Sequence, residues 1–163
     1  MRSNSYGRLA SNEEAKAIIS LAQQFDKNLN GKSFLICFGS RTLRFLEVSF
    51  SAGNFSHLAG IDKHNCRIKP HEVYARAIAG NLNPQDLGYS IAPKFKMKAI
   101  AAKFLNEFGS TATHVSAVNK RRSKVNAEIW ISGSKAGFAI GAIHIGSKKS
   151  GPVTFAPTSL QLL

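Results

Sequence analysis

Five histidines, His57, His64, His71, His114 and His144, are the residues of this chain best suited to moving protons. An imidazole changes charge near neutrality, so one ring can serve as general base or as general acid. The octamer NFSHLAGI, residues 54–61, sets His57 among apolar and small neighbours. Such neighbours would hold a catalytic ring in place, and they would bury a structural one equally well. His57, His64 and His71 fall seven residues apart. They are spread over an expected strand, a loop and a helix start, so the interval itself carries no geometry. His144 falls on the Phe138, Ile140, Ala142 face of an alternating segment. A sheet residue and a catalyst on the sheet floor both suit that position. His114 begins another such segment and reads as structural or solvated.

Hydroxyls and cations complete the candidates. Thr158 and Ser159 follow Pro157, where they can close a turn or hold a phosphate. Arg41 and Arg44 flank an expected hairpin turn, Lys63 follows the octamer, and Lys148 and Lys149 follow the His144 segment. All five are candidate phosphate ligands. The run KRRSK, residues 120–124, reads first as a solvated hairpin tip and second as a phosphate-backbone contact. Trp130 is expected in the core, with base stacking as its alternative.

Other chemistries lack their markers. HExxH, paired helical histidines and carboxylate clusters are missing from the sequence, so no metal site is expected. A GxxxxGK[ST] loop, a GxGxxG after a strand and a GxSxG elbow are missing too, so no nucleotide cofactor is expected. Cys37 and Cys66 lie in segments of different kinds without a CxxC and read as reduced thiols.

Charge then narrows the partner. Lysine and arginine total 22 against 9 acidic residues, a formal +13. Such a field favours polyanions, nucleic acid foremost. A membrane surface usually draws on one basic amphipathic helix, whereas here the cations are spread through the whole chain, and no apolar run is long enough to cross a bilayer. No apolar signal segment follows Arg2, so a cytoplasmic protein of the producing or target cell is expected, with export by another route open. RNA suits this residue set because its 2′-hydroxyl is an internal nucleophile. Cleavage then requires only a base, an acid and a cation for the crowded phosphate. DNA offers no such nucleophile.

The elements that must position these residues read as follows. Ser11 and Glu14 form a capping box, Ile18, Ala22, Phe25 and Leu29 follow at helical spacing, and Asn30-Gly31 ends the helix. SFLICFGSRTLRFLEVSF reads as a hairpin about Gly39-Ser40-Arg41, and Ala52-Gly53-Asn54 as the turn into the octamer. Pro70 starts a helix that Gly80 stops, and NLNPQDLGYS is a loop with one helical turn. Met97, Ile100, Ala101, Phe104, Leu105 and Phe108 share the face of a further helix. From residue 112 the period becomes two, giving three antiparallel strands and a final short strand near Val153–Phe155. The fold class is α+β, helices packed on an antiparallel sheet, in one domain of residues 1–163. Residues 1–32 read as an N-terminal helical extension and 33–160 as the core.

NFSHLAGI resembles the F-x-H-L-x-G-I core of the phage-associated nuclease domains grouped with barnase, EndoU, colicin E5/D and RelE, the BECR fold, in its fourth phage-type subfamily. The surrounding order is similar: a hairpin before the histidine, then HEVYARAIAGNLNPQDL, then the amphipathic KFKMKAIAAKFLNEF, and strands leading to APTSL. The resemblance covers roughly residues 33–160. It implies a helical front part on an antiparallel sheet with a cleft on the sheet's exposed face. It also implies a metal-independent ribonuclease, often a toxin or effector of phages and mobile elements. The histidine and the late hydroxyl carry over as His57 and Ser159, with Thr158 beside it. No glutamate of the barnase type can be placed, which leaves the general base to a histidine, a lysine or an unassigned group.

The leading expectation is therefore a metal-independent endoribonuclease acting through 2′-OH attack, with His57, Ser159 and His144 as catalytic candidates. RNA is the expected partner, and an acidic antitoxin or immunity protein would complement the charge. The alternatives are a non-catalytic basic protein that binds RNA, and an effector that inhibits a host protein.

Overall fold

The capping box read at the start of the chain is made: Glu14 N donates to Ser11 Oγ at 3.2 Å and Ser11 N to Glu14 Oε2 at 2.7 Å. It opens α1, Asn12–Asn28, whose Ile18, Ala22 and Phe25 are buried. The computed structural model describes residues 10–39, 41–42, 44–61, 66–87, 108, 112–117, 126–133, 138–147 and 152–162.

The hairpin forms as expected, β1 (Ser33–Phe38) against β2 (Arg44–Ser49), in a register running from Ser33↔Ser49 to Phe38↔Arg44. The segment after it differs from expectation. Ala52-Gly53-Asn54 is the first turn of α2, Ala52–Ala59, so His57 lies on a helix rather than a strand. Ser51 is the N-cap, and its backbone N–H donates to Asn54 Oδ1 at 2.7 Å. Phe55, Leu58 and Ala59 are buried at helical spacing. Gly60, left-handed at φ 70, ends the helix as few other residues would.

Pro70 starts α3, Pro70–Ile78, and the expected turn in the next loop is α4, Pro84–Leu87. Asp86 ties the two, pairing with Arg76 at 3.0 Å and accepting from Asn83 N at 3.0 Å. The helices converge on Phe25. Its ring meets those of Phe50, Phe55 and Tyr74 edge-on, with centroids 6.2, 5.6 and 6.0 Å away. This is the arrangement that ring quadrupoles favour. Of the helix expected before Gly109, only Phe108 lies among the described residues; it is buried against Phe34 and Phe50.

Four further strands, β3 (Ala112–Ala117), β4 (Ile129–Gly133), β5 (Phe138–Ser147) and β6 (Val153–Leu162), complete a six-stranded sheet in the order β1-β2-β6-β5-β4-β3. Its pairs are antiparallel except for β2 and β6, which run parallel from Leu46↔Val153 to Val48↔Phe155. The sheet curls until β1 approaches β3. Leu160, Ile140 and Ile131 are register neighbours on its buried face.

The last strand is longer than expected: β6 runs ten residues and passes through Pro157. Proline is tolerated in a sheet where the ladder is interrupted. Here the register steps from Ala142↔Pro157 to Gly141↔Ser159, leaving Thr158 as a bulge.

Candidate nuclease site

The parallel ladder between β2 and β6 stops at Val48↔Phe155, where the chain leaves through Phe50 into α2. Asn54 then takes over as donor to β6: its Nδ2 bonds the carbonyl of Pro157 at 3.0 Å. His57 stands three residues further along the helix, on the neighbouring patch of its surface, and is exposed. Ser56, buried on the other flank, donates to the carbonyl of Pro70 at 3.1 Å and fixes α2 against α3.

His144 approaches the same strand from the opposite side. It pairs with Phe155, and the two rings meet edge-on with centroids 5.9 Å apart. His144 is exposed and shares the face of Ile140 and Ala142, as the alternation predicts. Phe155 and Pro157 are alternate residues of β6 in regular register, so they share a face and lie about 7 Å apart along the strand. The elements carrying both exposed imidazoles thus meet β6 within three residues of each other.

Beside Phe155 a cavity of about 1000 Å³ opens inside the curl. Leu46, Val153 and Phe155 form one wall and Val115, Ala117 and Ile129 the other, with Arg44 among the lining residues. Arg44 is exposed at the start of β2, opposite Phe38, and Arg41 is exposed in the hairpin turn. Lys63, Lys148, Lys149, His64 and the KRRSK run lie outside the described residues.

The two late hydroxyls sit differently. Thr158 Oγ1 lies 2.7 Å from the carbonyl of Asn126 and 3.2 Å from that of Gly141, so its proton stitches the bulge to backbone. The Ser159 hydroxyl is buried and has no hydrogen-bond partner among the described residues. It faces Gly141 and Trp130, on the side of the sheet away from Leu160 and Ile140. A Cβ on Gly141 would stand 2.7 Å from Ser159 Oγ and 2.9 Å from both Ala127 Cβ and Trp130 Cζ3. The structure therefore does not bring the Ser159 hydroxyl to the face shared by His144 and α2. Trp130 is half-buried on that far side rather than part of the core. His114 is exposed on β3 opposite Ser132, and His71 is exposed in the first turn of α3.

Burial first, and then the Asp26 carboxylate, push the Tyr74 phenol up; its hydroxyl donates to Asp26 Oδ1 at 2.8 Å. This pair joins α1 to α3. Cys37 is exposed and Cys66 half-buried, each a thiol. Among the described residues, no three of His, Cys, Asp and Glu stand together as metal ligands, and no helix is long and apolar enough to cross a membrane.

Sequence reasoning missed Asn54 and Gly141. The spacing Ser51-x-x-Asn54 is a signal for the first, since a side chain three residues after a serine can cap a helix start. Nothing local marks the second, whose missing side chain makes room for groups from β4 and β6.

No match is found among curated proteins or among solved structures. The family model described as phage-Barnase-EndoU-ColicinE5/D-RelE like nuclease 4 (PBECR4) matches residues 17–162, beginning inside α1 and ending in the last residues of β6. The α+β layout of helices on a curled, mostly antiparallel sheet is consistent with that fold, and with nearly the whole sequence matched the chain belongs to the PBECR4 family of phage barnase–EndoU–colicin E5/D–RelE-like nucleases.

Proposed function

We propose that this nuclease-family protein is a metal-independent endoribonuclease in which His57 and His144 are the acid–base pair. In this reading one imidazole takes the proton of the 2′-hydroxyl as its oxygen attacks the adjacent phosphorus. The other gives a proton to the departing 5′-oxygen. The P–O5′ bond breaks, leaving a 2′,3′-cyclic phosphate and a 5′-hydroxyl, and no cofactor takes part. Arg44 and Arg41 offset the charge that builds on the phosphoryl oxygens. Lys63, Lys148 and Lys149, neighbours in sequence of α2 and β5, are further phosphate ligands in this proposal. Ser159 takes no part in the step, because its hydroxyl faces Gly141 and Trp130.

The observation that carries this reading is the approach of both exposed histidine-bearing elements to β6, at Pro157 and at Phe155. The formal charge of +13 adds a field in which an RNA backbone accumulates. A nuclease of this kind would act on cytoplasmic RNA as a toxin of a phage or mobile element. An acidic antitoxin or immunity protein would be the partner that restrains it.

The test compares an RNA with its all-deoxy copy, both incubated with the protein in EDTA. RNA fragments ending in 2′,3′-cyclic phosphate, with the DNA intact, are expected. Equal cleavage of both strands would exclude 2′-OH attack. Binding of RNA without cleavage would favour the non-catalytic alternative.

A further inference from the structure

We infer that the cavity inside the curled sheet is a stacking subsite for unpaired bases of a single-stranded nucleic acid. The inference rests on the nuclease reading and extends it to the form of the substrate. The cavity is bounded largely by apolar groups, with Phe38 and Phe155 supplying aromatic surface. Phe38 pairs with Arg44 across the hairpin, so an aromatic ring and an exposed positive charge lie on one face of it. A nucleobase suits such a place because every base has a π-face for the rings and carries a phosphate for the cation.

Position supports the same occupant. Phe155 lines the cavity, and its ring and that of His144 meet edge-on. A base held there would bring its phosphodiester toward Arg44 and His144. The volume, about 1000 Å³, lies at the upper end of small-molecule sites and leaves room for more than one base. Bases within a duplex are stacked and paired already, so they would have to be extruded to enter. Arg44 and Ser116 are the polar residues that line the cavity among the described residues. Largely apolar walls offer contact to base faces more than to base edges, so the site should discriminate base from no base more strongly than one base from another.

The experiment measures binding at fixed salt by fluorescence anisotropy, using 2′-O-methyl oligoribonucleotides that have no free 2′-hydroxyl to attack. The probes are a single strand, the same strand with abasic positions, and the matching duplex. The wild-type protein should hold the intact strand roughly tenfold or more above both controls. Phe38→Ala should lose about tenfold on the intact strand and little on the abasic one, and Phe38→Tyr should bind as wild type does. Equal affinity of the wild-type protein for strand, abasic strand and duplex would overturn the inference, whether the surface reads charge alone or seats an acidic protein. That comparison does not depend on any variant folding. Loss of cleavage with the base dependence intact would remove the reaction and leave the subsite. Cleavage without base dependence would do the reverse.

Discussion

Asn54 and Pro157 lie 103 residues apart in sequence, and a 3.0 Å hydrogen bond joins the side-chain amide of the first to the carbonyl of the second. The same Asn54 accepts from the backbone and the hydroxyl of Ser51, so one side chain both caps α2 and tethers it to β6. Asn54→Ala removes both functions and should cost about 1–2 kcal/mol in urea unfolding. Asn54→Asp keeps the acceptor toward Ser51 but loses the donor, and should still cost about 1 kcal/mol. A stabilised Asp variant would show that the tether contributes nothing.

Ser159 offers a test of opposite sign. Its buried hydroxyl lacks a partner among the described residues, so Ser159→Ala removes a desolvation cost without breaking a bond. The variant should equal or exceed the wild type in stability, by up to about 1 kcal/mol, and should keep its rate on RNA. A large loss of rate would return Ser159 to the chemistry. Gly141→Ala puts a Cβ 2.7–2.9 Å from three neighbouring atoms and should cost about 1–3 kcal/mol.

Tyr74 sets an alkaline limit. Its phenol is raised above the ordinary 10.0, chiefly by burial, so the unfolded chain releases that proton first as pH rises. The contribution is fully present below about pH 10 and is lost progressively as pH climbs toward the folded value. Tyr74→Phe should cost about 1–3 kcal/mol at neutral pH through the lost bond to Asp26. Its stability should also fall less steeply than that of the wild type above pH 10, as read by paired denaturant curves.

Arg41 and Arg44 should reveal themselves through salt. Replacing either by glutamine should reduce the slope of log affinity against log salt for single-stranded RNA by about 0.7–1. Unchanged slopes would place both side chains outside the phosphate path.

The sequence discloses elements wherever the determinants are local. The Ser11–Glu14 box, the hairpin about Gly39, Pro70 and the period-two runs from residue 112 all appear where their residues predict them. α2 escaped because eight residues give barely two turns of periodicity, and Gly53 argues against a helix. Only the start of β6 was legible, near Val153–Phe155, because Pro157 looks like an end unless the bulge at Thr158 is known. That bulge also determines which way Ser159 faces, a long-range property with no local signature. The parallel pairing of β2 with β6 joins segments about 100 residues apart and is equally silent in the sequence. The histidines were legible as candidates, while the approach of α2 to Pro157 and of His144 to Phe155 needed the fold.

The most direct measurement is the rate of RNA cleavage in EDTA by wild type, His57→Ala and His144→Ala, with each variant's fold checked by its unfolding curve. His144→Ala also removes a ring contact with Phe155, so each rate is read on a variant whose unfolding curve shows a folded protein. The account predicts cyclic-phosphate products from wild type and a rate lower by about 10²–10⁴ in each variant. Cleavage at the wild-type rate by both folded variants would contradict it.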